Sequence, residues 1–352
     1  MNILNIGGRT IGAGAPCYII AEMSGNHGGD VARAKEIIHQ AKWAGADAIK
    51  LQVYRPDTIT LKSDKADFAI PASSAWAGYG NMYDLYQYAH TPWEWMPELV
   101  EEAESVGIDI FGSVFDSTSV DLMEELRACA YKIASPEIND IPLLQYIAAT
   151  GKPVILSTGL ASLSDVELAV KTLRDGGCDQ IALLKCTTAY PAPVEEANLR
   201  TIPNLHQTFG CPSGLSDHTI GNAVSIAAVA IGAVMIEKHF TLGGGEETVD
   251  SFFSLTPVQF KELVKDVRTT EQALGQVFYG LTPEAEKNRH GKRSLYVSAP
   301  IKNGELFTKK NISSVRPGYG LAPKYYDQII GNRAKIDLEV GDRLQWDVIE
   351  QD

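Results

Sequence analysis

From Cys17 onward, short apolar runs rich in β-branched residues alternate with segments whose apolar positions recur at helical spacing. That is the pattern of parallel βα units. The runs predict strands at 17–22, 48–54, 108–113, 130–135, 153–157, 181–186, 212–216 and 233–239. Between them, Ala34, Ile37, Ile38 and Ala41, and again Val166, Ala169, Val170 and Leu173, fall at i, i+3, i+4 and i+7, which draws an apolar stripe down one helix face. Thr91-Pro92-Trp93-Glu94 and Thr256-Pro257-Val258-Gln259 each offer a capping hydroxyl, a proline at the first helical position and a carboxyl or amide at the third. Helices are predicted to start at both. Eight such units in about 250 residues match an α/β fold of the (β/α)8 TIM-barrel type; an open doubly wound sheet is the alternative.

The pattern breaks in two places. About 35 residues from Arg55 to His90, with Gly78, Gly80 and several aromatics, show no clear period, and an ordered loop of that length on such a frame is usually functional. After the helix expected from Thr256 the chain turns polar and charge-rich, then gives short alternating strands with turn residues and one helical piece near 324–330. The implied division is a barrel at 1–280, a linker at 281–293 and a small β-rich domain at 294–352.

Composition narrows the function. The 352 residues are 45% hydrophobic and 21% charged, which excludes a disordered chain. Lys+Arg 31 against Asp+Glu 44 leaves a net charge of −13, which argues against wrapping nucleic acid or lying on an anionic membrane. A small phosphorylated substrate stays open, because a local group of lysines can oppose the global field. Cys17, Cys129, Cys178, Cys186 and Cys211 include no C-x-x-C pair, so neither a disulfide framework nor a zinc ribbon is expected, and reduced thiols in a cytoplasm fit. The longest nearly apolar stretch, 223–236, falls short of the roughly 20 residues a membrane span needs. The N-terminus lacks the charged and apolar regions of an export signal.

A parallel barrel strand is covered on both faces, so a charge within one needs a partner or the open end. The polar residues fall at the predicted C-terminal ends: Glu22, Lys50, Gln52, Ser113, Lys132, Ser135 with Glu137 just beyond, Ser157, Lys185, Ser216 followed by His218, and Glu237 with His239. In a barrel those ends share one rim, where active sites are built. Lysines in a low-dielectric mouth find an anion or lose their charge. Lys50, Lys132 and Lys185, with the hydroxyls of Ser113, Ser135, Ser157 and Ser216, can surround a tetrahedral dianion; internal salt bridges to Glu22, Glu137 and Glu237 are the plainer reading. His218 and His239, at the ends of adjacent strands, suit one divalent ion with coordination sites left open; hydrogen-bonded structural histidines are the alternative. His27 reads as turn-stabilising, and His39, His90, His206 and His290 as helix-face or linker residues. Gly243-Gly244-Gly245 matches no nucleotide-binding fingerprint and reads as a turn. Trp93 and Trp95 read as packing, and Cys186 as an inert buried thiol.

Seven segments in order, IIAEMSGNHGG, DAIKLQVY, YKIASPEIND, GKPVILSTG, LLKCTTAYPAP, GLSDHT and IEKHFTL, with the tail KNGELFTKKNISSVRPGYG, resemble the sialic acid synthases, which condense phosphoenolpyruvate with an N-acetylated amino-hexose. The likeness spans nearly the whole chain. It implies a barrel followed by an antifreeze-like (SAF) domain that is swapped onto the partner subunit in a homodimer. SDKADFAI, MYDLYQYAHTPWEW, VDSFFSL and RPGYGLAPKYYDQIIG are most similar to the branch that makes pseudaminic acid, implying 2,4-diacetamido-2,4,6-trideoxy-L-altrose as the sugar. Thr188, Ser251 and Tyr319 stand where N-acetylneuraminate synthases often carry Asn, His and Asn, which argues against N-acetylmannosamine. N-acetylneuraminate and legionaminate synthesis are the alternatives within the family.

By the same resemblance, His218 and His239 hold Mn2+ or Mg2+, which polarises the sugar aldehyde. Lys50, Ser113, Lys132, Ser135, Ser157 and Ser216 match phosphoenolpyruvate-binding positions, Ser113 replacing a Thr found in some relatives, and Glu137, just beyond Ser135, is expected to bind substrate with them. Glu22 matches the carboxylate that handles a proton of water or sugar hydroxyl, and Asp250 one near the aldehyde. Gln52, Tyr190 and the partner tail's Arg316 match sugar contacts. Two rivals stand outside the family: a Schiff-base aldolase or lyase using Lys185, and a non-catalytic carbohydrate- or surface-binding protein built on the tail.

Overall fold

The computed structural model describes residues 3–12, 14–244 and 247–350. Gly245 of the glycine turn lies outside them. Among the described residues, eight strands pair in parallel and close into one barrel: β1 (Tyr18–Glu22), β2 (Ala48–Val53), β3 (Asp109–Val114), β4 (Tyr131–Ile133), β5 (Val154–Ser157), β6 (Ile181–Cys186), β7 (Ser213–Asp217) and β8 (Met235–His239). β8 pairs with β1 to seal it. Closure removes the doubly wound alternative, since an open sheet would leave two unpaired edges.

Side chains on a strand alternate between faces, and that parity sorts the barrel into two cores. Ile19, Leu51, Ile133, Leu183 and Ile236 face outward into the apolar stripes of the helices, where Ile37, Ile38, Ala169 and Val170 are buried. Tyr18, Ile20, Phe111, Ile155, Leu184 and Met235 face inward and pack with Leu4, Ile6 and Ile11 of an N-terminal hairpin. Those inward residues lie toward the strand starts, so the hairpin plugs that end. The opposite end is left to polar side chains.

Local signals held where no tertiary contact competed. Thr256 caps the helix Pro257–Leu274, with Gln259 Oε1 accepting from the Thr256 N–H at 2.9 Å. At Thr91 the expected start is displaced. A 3-10 turn at Trp93–Trp95 comes first, and the α-helix runs Met96–Val106 with Pro97 in its first turn. Thr91 is buried, and its hydroxyl is engaged by His27 Nε2 at 3.2 Å, so it is not free to cap. The segment 55–90 is also more regular than its sequence suggests, holding a helix at Met82–Ala89 capped by Asn81.

The chain divides into two compact units, Met1–Gly275 and Gln276–Asp352. The second has its own core of Leu295, Val297, Phe307, Ile312, Ile329 and Leu344, two short antiparallel strand pairs and a short helix Tyr326–Ile329. Its first residues include a helix at Pro283–Lys287. Among the described residues, no helix is long and apolar enough to cross a membrane.

Gly214 on β7 is the tightest point of the closure, because a Cβ there would lie 2.2 Å from the Met235 carbonyl of β8. Gly214→Ala must push these strands apart and is expected to cost about 1–3 kcal/mol, read as an earlier urea midpoint with an unchanged m-value.

Candidate active site

The strand register brings the polar ends together. Glu22 pairs with Lys50, Ser113 with Lys132, Ser216 with both Cys186 and Glu237, and His239 with Glu22. Paired residues of parallel strands point to the same face, here inward. One cavity is lined by Lys50, Gln52, Ser113, Lys132, Ser135, Ser157, Tyr190, Ser216, His218, Glu237 and His239, with Cys186 and Phe115 on its wall. A second hollow, of about 730 Å3, is lined by His27, Asp30, Tyr88 and Thr248 and shares no residue with the first among those described.

Within the cavity, Lys50 forms an ion pair with Glu22 and donates to Ser113 Oγ at 2.9 Å. Lys132 donates to Ser157 Oγ at 2.6 Å. Glu237 Oε1 accepts from Ser216 Oγ at 3.0 Å and stands 3.7 Å from Lys50 Nζ and 3.9 Å from Lys132 Nζ, while its Oε2 is buried without a hydrogen-bond partner. The salt-bridge reading is therefore realised for Lys50. Lys132 is left with hydroxyl and carbonyl partners and one distant carboxylate.

The electrostatics follow from that asymmetry. Burial opposes the Lys50 charge, but Glu22 and Glu237 outweigh it and hold the pKa above the usual lysine value. For Lys132 burial prevails over the pull of Glu237, with Lys50 adding repulsion, and the pKa falls below that value. Burial lifts Glu22 against the pull of Lys50. Burial also raises Asp250 to about 6, although the Ser24 hydroxyl opposes it. A buried ammonium with so little compensation is a place where an entering anion gains strongly.

The two histidines sit at one side of this mouth, ring centroids 5.3 Å apart. His218 Nδ1 lies 2.7 Å from the Thr187 carbonyl; a carbonyl only accepts, so Nδ1 carries the proton and Nε2 offers a lone pair. His239 is kept neutral, its pKa well below the usual value through burial and the neighbouring His218, and its Nδ1 has no hydrogen-bond partner and lies 3.5 Å from Asp250 Oδ2. Among the described residues no three His, Cys, Asp or Glu converge as a metal cage. The donor set fits a divalent ion held by two imidazoles that takes its other ligands from water or substrate, with the Thr187 carbonyl orienting one ring. Burial opposes protonation of His218, but Cys186 and the Thr187 carbonyl raise its pKa, so an ion at Nε2 would compete with a proton.

Two readings change with the structure. Lys185 ends β6 but has the parity of Ile181 and Leu183, which face outward; its ammonium donates to the Cys186 carbonyl at 2.7 Å, and it does not join the cavity. Cys186, on the inward parity, is not inert packing: Sγ lies 3.9 Å from His218 Nδ1, and His218 and Lys132 bring its pKa below the usual thiol value despite burial. Glu137 stands off the cavity wall, buried at Oε2 without a partner. Arg316 lies in the second unit. His27 holds its turn as expected, Nδ1 accepting from the Gly29 N–H at 3.0 Å, and Trp93 and Trp95 pack on the core.

Beneath the histidines is a network that no sequence signal marked. Asp217 and Lys238 precede His218 and His239, so parity turns them outward, where they form a buried ion pair at 2.8 Å with both side chains 1% exposed. Asp217 also accepts from the Thr219 N–H and hydroxyl and from Ser225 Oγ, and Lys238 donates to the Thr219 carbonyl. The ends of β7 and β8 are thereby clamped. From the loops come Tyr190, whose ring lies 4.5 Å from His218, Phe253, 4.7 Å from His239, and Trp76, which packs 5.5 Å from Tyr190 and donates Nε1–H to the Val249 carbonyl at 2.9 Å. They form an aromatic wall beside the imidazoles.

A family model described as the NeuB family matches residues 37–279, and a SAF domain model matches 292–350. A pseudaminic acid synthase of Campylobacter jejuni is 43% identical over 328 residues, 93% of this chain and 95% of its own length. One of Helicobacter pylori is 42% identical over 337 residues, 96% of this chain and 98% of its own. A solved structure of a spore coat polysaccharide biosynthesis protein of Bacillus subtilis is 35% identical and superposes with a TM-score of 0.68 over 100% of both chains.

Lys238→Met strands Asp217 in the helix layer and should cost about 3–5 kcal/mol in urea unfolding, with much of the loss recovered in Lys238→Met/Asp217→Asn. Glu137 is pushed by burial from the usual 4.5 up to about 7. Between those values the folded protein binds a proton that the unfolded chain releases, so this group makes stability fall as pH rises through the window. Glu137→Gln should flatten that slope relative to the unsubstituted protein when urea midpoints are compared across the window.

Proposed function

Because the chain belongs to the NeuB family and is an enzyme of that family, we propose that it condenses phosphoenolpyruvate with 2,4-diacetamido-2,4,6-trideoxy-L-altrose and water, giving pseudaminic acid and phosphate. The observation that carries this reading is the undercompensated Lys132, buried among hydroxyls in the same cavity as two imidazoles with available lone pairs. Lys132 and the hydroxyls of Ser157, Ser113 and Ser135 would receive the phosphate, the buried cation stabilising its charge more than water could. Lys50, held charged by Glu22, would pair with the carboxylate of the same substrate. A divalent ion, Mn2+ or Mg2+, on His218 and His239 would supply Lewis-acid polarisation of the sugar aldehyde, a contribution of several kcal/mol.

Attack by C3 of phosphoenolpyruvate on that aldehyde leaves a cationic C2, to which water adds before phosphate departs by C–O cleavage. Glu22, with its pKa lifted by burial, is the group suited to take the water's proton, and Asp250 would hold a hydroxyl near the aldehyde carbon. Gln52 and Tyr190 line the sugar side. The aromatic wall of Tyr190, Phe253 and Trp76 supports a sugar with methyl groups at C6 and on its acetamides, since a methyl group gains by leaving water against apolar rings, whereas a hydroxyl buried there without a partner loses its hydrogen bonds. In this proposal Arg316 of a swapped tail reads the sugar in a homodimer, and the reaction is cytoplasmic. The outward parity of Lys185 weighs against an imine at that residue.

The test is phosphate release. It is expected only when phosphoenolpyruvate, the altrose-configured sugar and a divalent ion are all present, and His218→Ala or His239→Ala should lower kcat by about a hundredfold or more. Turnover in chelator that matches turnover in Mn2+ would remove the metal from the proposal; a higher kcat/KM for N-acetylmannosamine would move the enzyme to another branch.

A further inference from the structure

Among the described residues, three that are not glycine hold a positive φ: Ser24 at 48°, Arg127 at 57° and Asn198 at 45°. Arg127 and Asn198 are exposed. Ser24 is 3% exposed, two residues past Glu22 in the turn that follows β1. A left-handed backbone is unfavourable for a residue with a Cβ and persists where the surroundings over-determine it, commonly at functional sites.

The surroundings of Ser24 are two carboxylates. Its N–H donates to Glu22 Oε1 at 3.0 Å, and its hydroxyl donates to Asp250 Oδ2, 226 residues away. Glu22 spends its other oxygen on Lys50. Asp250 reaches toward His239 Nδ1, 3.5 Å off, and its backbone carbonyl is fixed by Ser254 Oγ at 2.6 Å. Both carboxylates are buried, 1% and 7% exposed, so each needs a donor to hold one rotamer. Ser24 supplies one to each.

Glycine would adopt this φ without strain and would still present the N–H to Glu22. What serine adds is the hydroxyl, and its only described partner is Asp250. We propose that Ser24 is a positioning residue that locks Glu22 and Asp250 into one constellation, with the strained backbone retained for the Asp250 bond. This rests on the reading above that both carboxylates act on the bound substrates. A hydroxyl that aims a carboxylate contributes to kcat and leaves the phosphate cradle at Lys132 and Ser157 untouched.

Steady-state kinetics and thermal unfolding of Ser24→Gly and Ser24→Ala test it, with Glu22→Gln and Asp250→Asn as controls. Both serine variants should lose about tenfold or more in kcat while KM for phosphoenolpyruvate stays within about twofold. Ser24→Gly, relieved of strain, should melt no lower than Ser24→Ala, so that the loss follows the hydroxyl and not the stability. Full kcat in Ser24→Gly while the control variants are impaired overturns the role of Ser24 and leaves the reaction intact. Losses that track the melting temperature overturn it as well, marking Ser24 as structural. Active controls would sink the carboxylate roles themselves, and the inference with them.

Discussion

Four buried charges govern the mouth of this barrel. Glu22, Glu237, Lys50 and Lys132 balance in number, yet not in distance: Glu22 binds Lys50 directly, whereas Glu237 stands back from both ammonium groups and keeps one oxygen without a partner. Burying ions is costly, and a set that merely neutralised itself would gain little over apolar packing. The uneven spacing leaves Lys132 as the group whose charge is least supported. In the proposed reaction, a tetrahedral anion arriving among Ser113, Ser135 and Ser157 would complete the compensation that the protein alone leaves unfinished.

Strand parity explains how so small a region carries two networks without interference. On β7 and β8 the inward residues Ser216, Glu237 and His239 face the cavity, and the outward residues Asp217 and Lys238 tie the same strand ends to each other and to Thr219 and Ser225. The outward pair is buried, with both Asp217 oxygens accepting hydrogen bonds and Lys238 donating to Asp217 and the Thr219 carbonyl, a network that fixes geometry. The imidazoles therefore project from a rigid base, while the aromatic wall comes from loops that are free to differ in shape between proteins sharing the barrel.

The strands and the rim were legible in the sequence because parallel strands buried on both faces read as apolar runs, and a lysine or glutamate at the end of one stands out. Parity was not legible at β6: Ile181 and Leu183 are as apolar as Ala182 and Leu184, so nothing local said that Lys185 would face the helices. Thr91 carried a sound capping motif that lost to a hydrogen bond with His27, distant in sequence. The helix at 82–89 was hidden because Ala89 is its only buried residue and its tyrosines range from half-buried Tyr83 and Tyr86 to exposed Tyr88, which leaves no clear apolar stripe. Ser24 had no signal at all, since a left-handed serine is spelled like any other and its partner Asp250 comes from the far side of the barrel sequence.

The most direct measurement is an anomalous difference map from crystals soaked with Mn2+ and phosphoenolpyruvate. The account predicts a manganese peak between the rings of His218 and His239, and phosphate density within hydrogen-bond reach of Lys132 Nζ and Ser157 Oγ in the same cavity. Manganese bound away from both imidazoles, or phosphoenolpyruvate seated outside the barrel mouth with the Lys132 cradle still empty, would contradict it.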